Sequence, residues 1–247
     1  MGQDVTVRAL LCACLFVVLT ACTSPASSPT ASPTGTPSAA PTVSPTSSPT
    51  VVPSVSPTVV PFGAGIARLS AGRVAGMTGV SWRPGCPVPP AELRLVTVTY
   101  WGFDGAPHRG ELVVHEDLAG AFVRVFERLY RARFPIRAMV PVEAYHGSDD
   151  ASMAADNTSA FNCRYVAGTR TWSAHAYGRA VDVNPVENPY LVGGRVLPPA
   201  GRAYLDRRDA RPGMVLPGDA VTRAFAAEGF RWGATFGEPD YQHFDRR

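Results

Sequence analysis

Residues 173–184 read SAHAYGRAVDVN, and this stretch places a histidine and an aspartate seven residues apart, around a Gly-Arg pair and at the start of an apolar alternation. Two valines flank Asp182, and this apolar–polar alternation predicts a strand with Asp182 on one face. His175 comes seven residues earlier, on the loop that enters the strand. Gly178, between the two, is best explained by a backbone geometry that other residues avoid. The segment therefore predicts a histidine and an aspartate that point towards the same place.

Upstream of this stretch, the sequence predicts a β-hairpin followed by a helix. Glu92 to Trp101 is rich in β-branched and aromatic residues, and Gly110 to His115 is a candidate partner strand. Asp117 is predicted to cap a helix that Pro135 stops. The apolar residues at helical spacing are Leu118, Phe122, Val125, Phe126 and Leu129.

The remaining elements are predicted to be shorter. Irregular chain is expected over residues 147–157 and 188–212, which are polar or rich in Pro, Gly and Arg. The other predicted elements are a strand over 136–142, a helix capped by Asp219 or Thr222, and a strand over 241–244. Strands and helices in this mixed order, with hairpin pairing, predict an α+β domain with a small antiparallel sheet flanked by helices.

The N-terminus predicts export and lipid attachment. The apolar run Ala9–Leu19 is too short to span a bilayer and has the size of a signal-peptide core. It leads into Thr20-Ala21-Cys22, which resembles a bacterial lipobox. We therefore expect residues 1–21 to be a signal peptide and Cys22 to be lipidated, which would anchor the protein to the membrane outside the cytoplasm. The alternative is an ordinary secretory signal with an incidental cysteine.

Residues 22–61 are predicted to be a disordered tether, and residues 62–247 a single folded domain. The tether consists almost entirely of Ser, Thr, Pro, Ala and Val, so it has nothing with which to build a core. In an extended polyproline conformation of about 3.1 Å per residue it would reach on the order of 100 Å. The formal net charge of the chain is +3, too small to indicate a nucleic-acid partner.

The cysteines outside the signal peptide and the lipobox are Cys86 and Cys163. In an oxidising compartment a disulfide between them is the simplest expectation. Closing a loop of that length is worth about 4 kcal/mol in the chain-entropy description. A cysteine zinc ligand is the weaker alternative, because neither residue belongs to a C-x-x-C pair.

A candidate metal site combines two distant segments. His175 and Asp182 lie in one, and the end of the chain supplies Asp240-Tyr241-Gln242-His243. Catalytic zinc takes three protein ligands and leaves one position for water. Two imidazoles and a carboxylate meet that need, and Asp240 lies close enough to His243 to act as the base. Each residue taken singly also has an ordinary structural explanation, so spacing alone leaves both interpretations open.

The pattern Ser173-x-His175-x-x-Gly178-x-Ala180-x-Asp182, followed by Asp240-x-x-His243-Phe244, resembles the signature of a known peptidase family. This is the zinc D-alanyl-D-alanine carboxypeptidase family, which includes L-alanyl-D-glutamate endopeptidases and shares its fold with the hedgehog signalling domain. Further similar stretches lie at residues 82–87, 157–164, 184–190 and 232–233. The resemblance covers most of the chain from about Ser81 onward.

The resemblance implies roles for individual residues. His175, Asp182 and His243 would bind Zn²⁺, Asp240 would be the general base, and Arg164 would stabilise the oxyanion. Many relatives have glutamate as the base, so the shorter Asp240 would have to lie closer to the water. The candidates for contact with substrate are Ser173, Tyr177 and Trp232. For Ser173 the alternative is that it holds His175, for Arg164 a structural ion pair, and for the two aromatic residues a place in the core.

The functional hypothesis is a zinc peptidase that hydrolyses peptidoglycan stem peptides, of the D-Ala-D-Ala carboxypeptidase or L-Ala-D-Glu endopeptidase type. An anchored hydrolase in the envelope would meet such peptides as substrate. The alternatives are a non-catalytic zinc-containing lipoprotein that binds the cell wall and an inert surface lipoprotein stabilised by its disulfide. Asp240 and Arg164 favour the enzyme, because a purely structural zinc needs neither a base nor an open coordination position.

Overall fold

The computed structural model describes residues 60–247. The signal peptide, Cys22 and all but the last two residues of the predicted tether lie outside the described residues. The strands are β1 (Ala64–Arg68), β2 (Leu93–Trp101), β3 (Pro107–His115), β4 (Ala180–Asp182), β5 (Tyr190–Val192), β6 (Arg195–Leu197), β7 (Arg231–Trp232) and β8 (His243–Asp245). The α-helices are α1 (Ala71–Met77), α2 (Glu116–Arg131), α3 (Asp149–Ala154) and α4 (Ala220–Ala226). Within residues 60–247, no helix has both the length and the apolar character needed to cross a bilayer.

The predicted hairpin is the main sheet of the domain. β2 and β3 pair antiparallel from Leu93 opposite His115 to Trp101 opposite Pro107. The alternation of buried and partly exposed residues along β2 gives the sheet one apolar face. The sequence did not predict β1, which pairs antiparallel with the free edge of β2.

Helix α2 covers the apolar face of this sheet and also packs against α4. All five residues of its predicted apolar face are buried, because they recur at helical spacing on the side that faces β2. The cap differs from the prediction: the His115 side chain accepts a hydrogen bond from the Asp117 amide, so the helix begins one residue before Asp117. The helix also ends at Arg131, before Pro135, where the chain turns through Arg133 in a left-handed conformation.

A second, smaller sheet has the strand order β4-β8-β7 and is antiparallel throughout. Val181 lies opposite Phe244 in the register, and both side chains are buried in the same core as α2. The Phe244 ring stacks on Phe225 of α4 at a centroid distance of 3.9 Å. Because Val181 and Phe244 pack against this core, the neighbouring residues Asp182 and His243 lie on the opposite face of the sheet. The mixed elements and small antiparallel sheets confirm the α+β class.

Three segments differ from the sequence-based expectations. Residues 136–142 form no ladder and contribute only an isolated bridge, Ala138 with Asn157. Residues 147–157 contain helix α3, which Ser148 caps by accepting from the Ala151 amide. Residues 188–212 include the β5–β6 hairpin and a 3-10 helix over Pro199–Tyr204. These elements are short, so hydrophobic periodicity gave little signal for them.

The predicted disulfide joins Cys86 and Cys163 across 77 residues, with the two Cα atoms 6.0 Å apart. Both cysteines belong to a second apolar cluster, separate from the core beneath α2. The Cys163 amide donates to the Ser81 carbonyl, and the Arg83 guanidinium donates to the Cys163 carbonyl at 3.0 Å. The chain just before Arg164 is therefore fixed by both covalent and hydrogen-bonded links.

Candidate metal centre and active site

Two local structures bring the predicted metal ligands together. The β4–β8 register places Asp182 directly opposite His243. His175 lies in a 3-10 helix over Ala174–Tyr177, immediately before β4. Gly178 ends this helix at φ +66°, and a Cβ there would lie 2.6 Å from the backbone nitrogen of His115. Only glycine fits that turn without displacing β3, which explains its place between the two ligand candidates.

The three side chains offer donor atoms within 4.8 Å of one another. His175 Nε2 lies 3.1 Å from His243 Nδ1 and 3.2 Å from Asp182 Oδ2. His243 Nδ1 lies 3.0 Å from Asp182 Oδ1. Ligands about 2.0 Å from a tetrahedral zinc ion lie roughly 3.3 Å from one another, so the donor spacing fits zinc.

Hydrogen bonding prepares His175 for such a role. Its Nδ1 donates to the carbonyl of Ala160 at 2.5 Å, which leaves Nε2 unprotonated when the ring is neutral. The side chain is only 3% exposed. A buried imidazole held in this tautomer presents a lone pair to the site, as a metal ligand must.

The electrostatics of the trio reflect buried opposite charges. Burial disfavours the charged form of Asp182, but the charges and hydrogen bonds of the two imidazoles outweigh it and hold the pKa of Asp182 well below its ordinary value. Burial likewise lowers the pKa of His175, and the Asp182 carboxylate reverses this, so the net pKa shift is upward. The ionised carboxylate of Asp182 is thus the source of negative charge within the trio.

Asp240 lies beside the trio with a buried, unpaired oxygen. Its Oδ1 has no hydrogen-bond partner among the described residues. Burial, together with the negative charge of Asp182, raises the pKa of Asp240 to about 7. The Asp240 carbonyl accepts from the His243 amide at 3.3 Å, and the Asp240 amide donates to the Gly233 carbonyl at 3.0 Å. An orphaned carboxylate oxygen next to three possible ligands is a suitable acceptor for a proton from water.

Arg164 is held by an acidic residue that the sequence did not single out. Its Nη2 lies 2.8 Å from Asp149 Oδ2 at the start of α3. Burial raises the pKa values of Asp149 and Asp240, and the positive charge of Arg164 opposes this shift at both groups. A sequence signal for α3 existed, since Ser148 followed by two aspartates is typical of a helix start.

Tyr190 is a second residue of the cavity whose position the sequence alone did not predict. Its backbone forms an isolated bridge with Asp240. Burial and the negative charges of Asp240 and Glu238 raise the pKa of the Tyr190 phenol, while Arg164 lowers it. The backbone of β5 therefore begins beside Asp240.

The predicted substrate contacts have different surroundings. Ser173 is 5% exposed, and its hydroxyl accepts from the His175 amide at 3.3 Å, so the structure shows it holding His175. Trp232 donates to the Tyr241 carbonyl at 2.8 Å, and its ring stacks over Phe244, which places it against the core. Tyr177 is 38% exposed. Contact of these three side chains with substrate stays a prediction.

A family described as D-alanyl-D-alanine carboxypeptidase matches residues 167–246. The match spans His175, Asp182, Asp240 and His243 and confirms the family resemblance over this part of the chain. It begins after Arg164 and Asp149, so it does not cover those two residues. The family match supports a peptidase. No match was found among the curated proteins or among the solved structures.

Proposed function

Because residues 167–246 match the D-alanyl-D-alanine carboxypeptidase family, we propose that the protein is a zinc-dependent peptidase of peptidoglycan stem peptides. One observation carries the proposal. His175, Asp182 and His243 offer three donors at zinc spacing, and Asp240 presents an unpaired buried oxygen beside them. A purely structural metal site needs no general base, so it would not require the Asp240 carboxylate.

The chemistry follows from the residues around the trio. A zinc ion held by the three side chains would supply the charge that acidifies a water molecule and polarises a peptide carbonyl. Asp240 accepts the proton from the attacking water and later delivers it to the nitrogen of the departing amine. Arg164 donates to the carbonyl oxygen as negative charge develops on it. Asp182 stays ionised throughout, since its pKa lies well below its ordinary value.

The location and the partners are part of the same proposal. A lipid at Cys22 would attach the chain to the outer face of the cell membrane, and residues 22–61 would carry the domain away from it. At that position the available peptides with D-residues are those of peptidoglycan. The substrate class is proposed from this location together with the family match.

The second candidate is a zinc-containing module that binds cell-wall peptides without cutting them. Such a module would bind zinc through the same three ligands, but it would need no general base and therefore would not need Asp240. The buried, unpaired oxygen of Asp240 suits a group that accepts a proton from water. This favours the enzyme over the binder.

The deciding experiment incubates the purified full chain with muropeptides, once loaded with zinc and once stripped by a chelator. Mass spectrometry of the products identifies the bond, because loss of a terminal D-Ala and cleavage between L-Ala and D-Glu give different masses. Zinc-dependent cleavage is expected. Absence of cleavage in both samples would refute the enzyme, and retained binding of muropeptides would then favour the module.

A further inference from the structure

Arg164 and Asp149 form an ion pair between two separate segments of the chain. Arg164 Nη2 lies 2.8 Å from Asp149 Oδ2, and each side chain is 29% exposed. We propose that Asp149 is a positioning residue that holds the Arg164 guanidinium towards the metal centre, so that its free donors meet the oxyanion. This inference rests on the proposed function.

The backbone on both sides of the pair is fixed. Cys163, next to Arg164, is tied to Cys86, and the Arg164 carbonyl accepts from the Ser173 amide at 3.0 Å. On the opposite side, the Asn162 side chain donates to the Gly147 carbonyl at 3.3 Å, two residues before Asp149. With the backbone held, the orientation of the Arg164 guanidinium depends on the side-chain rotamer. An arginine has many rotamers, so selecting one of them costs conformational entropy. Within residues 60–247, Asp149 makes the one ion pair of Arg164, and this pair selects among those rotamers.

The way in which Arg164 is held leaves it able to act. Asp149 engages Nη2, whereas Nε is buried and has no hydrogen-bond partner among the described residues. A guanidinium carries five N–H donors in a rigid plane, so fixing one end orients the others. A buried donor without a partner costs free energy, and an oxyanion in the cavity would relieve that cost.

Asp149 also keeps Arg164 from a competing partner. The Arg164 charge acts on Asp240, the proposed base. Without Asp149, the guanidinium would be free to pair with the Asp240 carboxylate and occupy the group that must accept a proton. The same ion pair therefore protects both the oxyanion donor and the base.

The test compares Asp149→Asn with Asp150→Asn in the zinc-loaded full chain. Asp150 is the exposed neighbour in the same helical turn, so the control removes the same charge from the same helix. For Asp149→Asn we expect kcat on muropeptides to fall about 10- to 100-fold, with KM and zinc affinity changed less than about threefold. Asp150→Asn is expected to match the wild type, and Asp149→Glu to recover part of the loss.

A binding measurement makes the outcome independent of turnover. Calorimetry with a phosphinate dipeptide, which mimics the tetrahedral oxyanion, should show affinity weakened about tenfold in Asp149→Asn. In an Arg164→Ala background the same substitution should change the affinity less than about twofold, because it acts through Arg164. Equal phosphinate affinity in the wild type and Asp149→Asn would overturn the inference. If the wild-type chain cleaves nothing, but Asp149→Asn binds the phosphinate more weakly than the wild type does, the inference is supported and the proposed function is refuted.

Discussion

Gly233 is the residue at which a single methyl group should disturb the base and a metal ligand together. A Cβ at this position would lie 2.6 Å from the Asp240 carbonyl oxygen, 3.1 Å from the Asp240 Cβ and 3.2 Å from the His243 Cβ. Ordinary contacts begin near 3.4 Å, so Gly233→Ala must push the Asp240 backbone away by roughly 0.8 Å. Since the Asp240 amide donates to the Gly233 carbonyl, the two segments cannot separate without losing that hydrogen bond.

A displacement of this size at a reacting group costs on the order of 100-fold in rate. We therefore expect Gly233→Ala to lower kcat/KM on muropeptides about 100-fold and to weaken zinc binding, measured by competition with a chromogenic chelator. Overpacking should also lower the free energy of unfolding by about 1–3 kcal/mol. Gly237→Ala is the matched control, because a Cβ there meets nothing within 4 Å. If Gly233→Ala keeps kcat/KM and zinc affinity within threefold of the control, the close approach does not position the site.

Three further predictions concern the base, a buried acid pair and the disulfide. Asp240→Asn should keep stoichiometric zinc but lose turnover, whereas His243→Ala should lose the metal; equal zinc loss by elemental analysis would contradict the assignment of the base. Burial and the hydrogen bond that protonated Asp156 donates to Glu187 raise the pKa of Asp156 to about 8, so its protonated form stabilises the fold fully at low pH and this stability is lost as pH rises through about 8. The free energy of unfolding of Asp156→Asn, measured by thermal unfolding, should therefore depend less on pH than that of the wild type. The two slopes should differ by up to about 1.4 kcal/mol per pH unit between about pH 4 and 8, and parallel curves would refute this. Replacing both bridged cysteines with serine should lower the free energy of unfolding in urea by about 4 kcal/mol, and a loss below about 1 kcal/mol would contradict the loop-closure argument.

Elements with a long apolar repeat could be predicted from the sequence. The β2–β3 hairpin and helix α2 each bury a continuous face. Apolar residues therefore recur about every two residues in the strands and about every 3.6 residues in the helix. β4 was also predictable, because valines on both sides of Asp182 are buried. The α2 cap was placed two residues late, at Asp117, since His115 supplies the cap and histidine is rarely expected there.

Short elements and long-range pairs could not be predicted in the same way. α3 has six residues, too few for a periodic signal. The ion pair of Asp149 with Arg164 depends on a contact between two segments that lie apart in the sequence, so no local pattern predicts it. Tyr190 reaches the cavity because β5 runs beside Asp240, which no local pattern encodes. The metal ligand candidates were found because a family resemblance joined two segments whose contact depends on the β4–β8 register.

The balance of charge among the buried carboxylates explains why Asp240 is the group that we propose for proton transfer. A buried carboxylate is costly unless it is paired. Asp182 has two imidazoles as partners, and Asp149 has Arg164. Of these three carboxylates, Asp240 alone keeps a buried oxygen without a partner among the described residues, and burial raises its pKa to about 7. A zinc ion at the trio would supply the missing positive charge and favour the ionised form that accepts a proton, so binding the metal and preparing the base are one electrostatic event.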